Sequence, residues 1–450
     1  RTNDEGLYVV TNLPPGDYTI TVEHPGFKLF VTSGNVLAAD GRLTVDAALE
    51  AGSVSETVTV NARAGETVNT TSGEIARVVD GEQIQNLALN GRNFLQLATL
   101  VPGAPLLDFD AIAQTTSNSG TIAVNGSRAD SNNLTVDGGF NLLKANNSVP
   151  ANNVGVDFIQ EAKIQTSNFS AEHGRQSGAA INVTTRSGSN QLRGSLFEFI
   201  RNDKLDARNF FATNVRKLRF NDFGFSAGGP VIKNRFFFFG GQEWKYIRRT
   251  LDPARRTLPT LADLRGDLSF RLRGADGIVG TADDGTLRDP AKAGTCSRTN
   301  RTACFPGNVI PASRIDTVAR NILTQLYPEP NTAGTRQASG QTINNYLINP
   351  IKAREDNQFD VKVDQNLTTN NRFFVRYSFQ KTHRDQPATL PHGDAGATFG
   401  AGDGNITAQG LAFNDTHTLR NNLLNEFRFG WTSVKFLMTS IDYGTNPAAA

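Results

Sequence analysis

The period of the hydrophobic pattern changes along this chain. Upstream of Phe158, short alternating runs are interrupted every few residues by Gly, Pro and Asn. Residues 7–10, 18–22 and 43–49 alternate at period two, and Pro14-Pro15-Gly16 is a turn signal between the first two. Downstream, the alternating runs lengthen. Over 357–364, Phe359, Val361 and Val363 point one way while Asp360, Lys362 and Asp364 point the other. Phe373, Val375, Tyr377 and Phe379 share one face of the next run, after a turn at Leu367-Thr368-Thr369-Asn370-Asn371. Glu426 and Arg428 alternate with Phe427, Phe429 and Trp431, and further strands fall at 195–201, 222–229 and 234–246. The pattern thus predicts six long strands in the second half. Between 251 and 354 the alternation vanishes, and a stretch that long without periodicity is functional or disordered.

The segment between the two regimes is itself made of short elements. Ala162-Lys163-Ile164-Gln165-Thr166 and Ala180-Ile181-Asn182-Val183-Thr184-Thr185 read as strands around the polar turn Glu172-His173-Gly174-Arg175-Gln176-Ser177-Gly178. Earlier, Asp80 opens a short helical stretch, and Phe94, Leu95 and Leu100 are placed to pack on a small sheet. Residues 121–128 and 133–139 read as a hairpin-like pair, with Asp137-Gly138 as a tight-turn signal.

Apolar-out, charged-in strands of about ten residues are what a lipid-facing barrel with a wet lumen requires. A soluble sandwich also alternates, with its charges in bulk water, and the pattern alone does not separate the two directions. Phe236 to Phe239 and Trp244 suit lipid contact and an interface belt in the first case; in the second, the Phe run is a buried strand. No apolar run reaches the ~18 residues of a membrane helix, which leaves a barrel open.

Composition narrows the classes. With 45 Lys+Arg against 43 Asp+Glu, charge gives no reason to expect nucleic acid as a partner. A content of 42 Gly and 29 Phe agrees with a mostly β chain. Catalytic signatures are missing: no H-E-x-x-H, G-x-S-x-G, Walker loop or Rossmann glycine motif, so no enzyme, cofactor or metal site is expected. Cys296 and Cys304 suit a small disulfide-closed loop in an oxidising compartment; two free thiols are the alternative.

The stretch QTSNFSAEHGRQSGAAINVTTRSGSNQLRGSLFEF, with LNGRNFLQLATLVPG, VNGSRADSNNLTVDG and FGFSAGGPVIKNRFFFFGGQEW, resembles the plug and first barrel strands of TonB-dependent outer-membrane receptors, in their Oar-like branch. The pattern from Gly6 to Val22, with LPPGDYTITV, resembles the carboxypeptidase regulatory-like sandwich, a non-catalytic module. The resemblance implies four parts. They are a truncated regulatory-like β-sandwich (1–50), a linker (51–65), a small α+β plug (66–187), and the N-terminal part of a transmembrane antiparallel β-barrel (188–450) with a long extracellular loop near 251–354. In the linker, Glu56-Thr57-Val58-Thr59-Val60-Asn61-Ala62 resembles a TonB box, an extended peptide that joins the sheet edge of a periplasmic partner; the last strand of the sandwich is the other reading. In the plug, Arg92, Arg128, Arg175 and Arg186 are candidates for polar contacts with the barrel wall, or else ordinary surface arginines. The loop segment CFPGNVIPASRIDTVARNIL belongs to the resemblance too, with a helix over 313–326.

Implied function is energy-coupled uptake of an unidentified extracellular ligand, with the inner-membrane TonB complex and outer-membrane lipid as partners. The implied location is the outer membrane of a Gram-negative-type bacterium, with the N-terminal domain in the periplasm. An outer-membrane structural or adhesion protein with a permanently plugged barrel is the alternative. The chain reads as a fragment truncated at both ends: it starts at Arg1 inside what resembles a domain, and it ends without a closing strand, where a plugged transporter barrel has about 22 strands.

Overall fold

Three sheets follow one another along the chain, of three, five and seven strands. The computed structural model describes every residue except 1, 3–5, 9, 11–12, 14–15, 38–42, 54–56, 62–72, 106–121, 144–145, 171–172, 175, 209, 211–213, 251–253, 274–275, 283, 326, 338–339, 389–401, 421–422, 441–442 and 444–450.

In the first sheet, β1 (Gly16–Val22) and β2 (Leu29–Leu37) pair antiparallel, and β3 (Thr57–Asn61) adds in parallel beyond β2. The strands expected at 7–10 and 43–49 form no ladder among the described residues, although burial along 43–49 does alternate. Alternation reports one-sided burial, which an unpaired extended segment shares with a strand. The two segments meet through Tyr8, whose hydroxyl donates to the Val45 carbonyl at 2.6 Å.

The second sheet contains β4 (Ile75–Asp80), β5 (Asn133–Val136) and β6 (Gly139–Phe140). A two-stranded ribbon of β7 (Leu142–Leu143) and β8 (Asn146–Pro150) follows, then β9 (Ile159–Ser167) and β10 (Ala180–Thr185). The order is β4-β9-β10-β5-β6, with β10 and β5 parallel. Asp80 caps α1 (Gly81–Asn86) by accepting from the Gln83 amide at 2.8 Å. Ile84, Phe94, Leu97, Phe158 and Ile164 form the apolar core. On the other side of β9, Lys163 and Gln165 are buried but satisfied by Glu74, at 2.9 and 2.8 Å. Residues 122–128, expected as a strand, contribute only a single bridge at Ile122 and a turn at Asn125-Gly126; β5 pairs with β10 instead.

The third sheet starts with β11 (Arg193–Asn202), β12 (Leu218–Ile232) and β13 (Phe236–Thr250). The aperiodic stretch that follows is folded. β14 (Ala254–Arg256) pairs with β17 (Tyr346–Ile348), β15 (Thr335–Arg336) pairs with β16 (Thr342–Ile343), and α2 (Leu261–Leu264) and α3 (Thr317–Gln325) lie between. Thr260 and Asp263 form a capping box on α2. Cys296 and Cys304 are joined, Sγ to Sγ, at 2.04 Å. Replacing both by serine is expected to lower the local stability of this excursion by about 2–3 kcal/mol, the entropy of closing so short a loop. Limited proteolysis should then cut the excursion faster; equal rates with and without the bond would contradict this.

The sheet resumes with β18 (Ile351–Thr368), β19 (Asn371–Gln386), β20 (Gly402–Arg420) and β21 (Leu423–Ser440), each antiparallel to its neighbour. That makes seven strands where alternation predicted six. The one missed is β20, whose inward positions are Gly404, Ile406, Ala408, Gly410 and Ala412, so it lacks the charged face the template looks for. Short turns near Asn234 and Asn370 lie at one end of the sheet and the long excursions at the other.

The direction left open by the pattern is decided here. On β18, Asp356, Asp360, Lys362 and Asp364 are buried while Val361 is 45% exposed. Charges face the second sheet, and the apolar residues face away. On the outer face Trp244 stacks on Phe223, ring centroids 5.5 Å apart. The Phe run splits between the two faces. Phe239 turns inward, 6% exposed, and meets Phe158 edge-on at 6.2 Å, so this ring contributes to the core of the second sheet rather than to lipid contact.

Candidate functional site

The chemistry concentrates where the five-stranded domain meets the inner face of the seven-stranded wall. Its central residue is Asp137. Val136 and Gly139 pair across a two-residue turn, with Asp137 at φ 48 and Gly138 at φ 77. Both central residues are left-handed, as a primed hairpin turn demands, and Asp-Gly meets that demand with little strain. This tip carries the carboxylate to the wall. Lys362 Nζ lies 3.1 Å from Oδ1 and Arg376 Nε 3.5 Å from Oδ2. Thr185 adds its amide at 3.0 Å and its hydroxyl at 2.5 Å. Burial pushes the Asp137 carboxyl up, but Lys362, Arg376 and the Thr185 bonds together hold it below its ordinary value. Lys362 also donates to the Thr185 carbonyl at 3.2 Å and stands 4.5 Å from the Phe374 ring centroid.

A second contact is uncharged. Asn152 Nδ2 donates to Ser378 Oγ at 2.6 Å, and the Asn153 amide donates to Gln380 Oε1 at 2.9 Å. Gly155 follows, and a Cβ there would stand 2.3 Å from Glu243 Oε2 and 3.0 Å from the Phe158 ring, so a side chain would have to displace the buried Glu243 carboxylate. A third contact centres on Arg92, which pairs with Asp157 inside its own domain and lies 3.4 Å from Asp222 of the wall. Its guanidinium stands 3.9 Å from the Phe199 ring centroid. Lys245 joins at 3.4 Å from Asp222 and 2.9 Å from Glu243. Burial raises the Asp157 carboxyl above its ordinary value, with Arg92 opposing. Nearer the short-turn end, Ser187 Oγ donates to Asp364 at 3.2 Å.

Of the four arginines read from the sequence, Arg92 reaches the wall. Arg186 is turned inward, donating through Nε to the Ile159 carbonyl at 3.2 Å, and burial lowers its pKa. Arg128 is exposed on a turn, and Arg175 lies outside the described residues. The main contact has the opposite polarity to the one sought: the domain supplies a carboxylate and the wall supplies the cations. The signal was present in Asp137-Gly138, which periodicity reads only as a turn. The amide contacts of Asn152 and Asn153 had no sequence signal.

Thr57, Val58, Thr59, Val60 and Asn61 form β3, while Glu56 and Ala62 lie outside the described residues. The segment expected as a linker peptide is paired in parallel, from Leu29 opposite Thr57 to Ser33 opposite Asn61. Alternating Thr and Val suit any open sheet edge, and β2 offers one. β3 ends the sheet order, so its second edge has no strand among the described residues. No cluster of three or more His, Cys, Asp or Glu suited to a metal ion occurs among the described residues. No helix among them is long and apolar enough to cross a membrane, which says nothing about crossing by strands. Among the described residues the interface combines polar bonds with apolar contacts, at Phe239 and Gly241 against Phe158 and at Gly139 against Ala412 and Gly430.

The profile described as an outer membrane beta barrel domain matches residues 184–450, and that of the carboxypeptidase regulatory-like domain matches residues 1–50. The TonB-dependent transporter Oar of Myxococcus xanthus is 30% identical over 304 residues, covering 62% of this chain. The chain spans 27% of that relative's length. Among solved structures, the outer membrane transporter YddB of Escherichia coli aligns with a TM-score of 0.45 at 12% identity, over 79% of this chain and 38% of that one. A ferric enterobactin receptor of Pseudomonas aeruginosa aligns with a TM-score of 0.44 at 11% identity, over 80% and 41%.

Proposed function

We propose, for a chain that belongs to the outer membrane beta barrel domain family and is located in the outer membrane, energy-coupled uptake of an extracellular solute through a plugged barrel. The five-stranded domain is the plug, and the seven strands are part of the wall. TonB, the inner-membrane coupling partner, engages the segment around Thr57–Asn61 by strand addition, which needs a β-competent peptide and an open edge. Force applied there is transmitted through the chain to the plug.

The observation that carries this reading is the makeup of the plug–wall contact. Asp137 with Lys362 and Arg376, and Asn152 and Asn153 with Ser378 and Gln380, are polar pairs. Water can replace each of them as the plug shifts, whereas a dry apolar interface would resist wetting. Deleting Thr57 to Asn61 from the complete protein is expected to abolish uptake and to spare ligand binding at the cell surface. Undiminished uptake after the deletion would sink the coupling claim and favour a permanently plugged structural or adhesion protein.

A further inference from the structure

The last residues of the plug are laid along one wall strand. Lys362 Nζ donates to the Thr185 carbonyl at 3.2 Å, Ser187 Oγ donates to Asp364 at 3.2 Å, and Asn190 reaches Asn366 through Asn234. Lys362, Asp364 and Asn366 are alternate residues of β18, so they share one face of that strand. The plug chain thus descends β18 step by step towards its short-turn end.

Three segments join at Asn234. Its amide donates to Asn190 Oδ1 at 2.8 Å, its own Oδ1 accepts from Asn190 Nδ2 at 2.6 Å, and its carbonyl accepts from Asn366 Nδ2 at 3.1 Å. The Asn366 amide donates to the next carbonyl, that of Arg235, at 2.7 Å. Asn234 has φ 64, a left-handed conformation that asparagine accepts more readily than most residues. Gly188 lets the chain come this close. A Cβ there would stand 2.7 Å from the Gly229 carbonyl oxygen and would overlap the Phe238 carbonyl, so any side chain would lift the linker off β12 and β13.

The contacts at Arg92, Asp137 and Asn152 come from separate loops. The one at Asn190 is continuous with the wall itself. β11 begins three residues later and pairs with β12 from Arg193 opposite Gly228 to Asn202 opposite Arg219. A load arriving at Asn190 passes into a ladder whose bonds share it, whereas the loop contacts are loaded one at a time. We propose that Gly188, Asn190, Asn234 and Asn366 are positioning residues that pin the trailing end of the plug to the wall, so that a plug pulled from Thr57–Asn61 yields elsewhere and turns about this end. The proposal deepens the uptake reading and rests on it for the point at which the pull enters.

Single-molecule pulling tests it, on the complete protein in a bilayer with a handle at Thr57→Cys and no solute or partner. The chain from the handle to Gly188 spans roughly 430–470 Å when extended. The wild type is expected to show a rupture at that length, separate from the later ruptures of the wall. Asn190→Ala with Asn234→Gly removes the reciprocal pair and still allows the left-handed turn. The lifetime of that rupture at fixed force is then expected to fall about tenfold or more, the worth of two hydrogen bonds. Leu192→Cys with Gly229→Cys places Cβ atoms 3.6 Å apart, which suits a disulfide. This staple is expected to leave the rupture at the same length, because the chain beyond Asn190 does not move in that step. No rupture at that length in the wild type overturns the proposal. So does an unchanged lifetime in the asparagine variant, or a released length that shortens with the staple. If the asparagine variant gives no heat-modifiable barrel, the wild-type trace and the staple still decide. No uptake is measured, so failure here leaves the Thr57–Asn61 deletion result standing. Failure of that deletion leaves the pin standing as the fixed end of a permanent stopper.

Discussion

Replacing Asp137 by alanine is expected to destabilise the seated plug by about 3–5 kcal/mol, because it leaves buried cations without their partner. Lys362 and Arg376 are each 5% exposed, and Asp137 is 1% exposed. Arg376 keeps Asp360, so Lys362 is the cation left most exposed to the loss. The readout is the urea concentration at which the plug becomes sensitive to protease while the barrel stays heat-modifiable. The dependence on pH has a definite sign. Burial raises the Asp137 carboxyl, and Lys362, Arg376 and Thr185 outweigh it and bring it below its ordinary value. A carboxyl with a depressed native pKa binds its proton more readily when unfolded. Its stabilisation is complete above about pH 4, the unfolded value, and is lost as pH falls through the native one. The gap between wild type and Asp137→Ala should thus be flat from about pH 5 to 8 and close below about pH 4. A gap still widening between neutral and alkaline pH would assign the effect to another group.

The second large effect is expected where the wall touches the plug core. A Cβ added at Gly241 would stand 2.2 Å from Phe158 Cε1 and 2.8 Å from the Phe225 carbonyl oxygen. Phe158 is fully buried and packs against Phe239. Gly241→Ala is expected to cost about 1–3 kcal/mol as overpacking, and Phe158→Ala about 3–5 kcal/mol as a cavity. The two are not independent. With the ring removed the new methyl has space on that side, so the double variant should cost less than the sum by about 1 kcal/mol or more. The Phe225 carbonyl still crowds the methyl, and the rescue stays partial. Strict additivity in a double-mutant cycle would mean that the ring and the wall do not share this space.

These effects show how far the residues could be read in advance. The strands of the wall were legible because alternation between Phe or Val and Asp, Lys or Arg follows from the pleat itself, whichever way the sheet faces. β20 was not, since its inward face of Gly and Ala has no contrast with its outward one. Asp137 was legible as a turn residue, because positive φ at two successive positions restricts the choice to few residue types. Its ionic role depends on strands more than two hundred residues away and has no local trace. The same holds for Asn152 with Ser378 and Asn153 with Gln380.

By itself the sequence determined the β character, the change of regime near Phe158, the turn at Asp137-Gly138 and the long excursion between the third and fourth wall strands. All of these are set by residues within a few positions of one another. Tertiary structure alone decided which face of each strand is buried, because period two is blind to direction. It decided the partner of every charge at the plug–wall contact, and it placed Thr57–Asn61 on the edge of β2. It also brought Arg354 opposite Arg384 and Arg249 opposite Lys352. The overall charge is nearly balanced, so which charges become neighbours is set only when antiparallel register gathers residues that lie far apart in the chain.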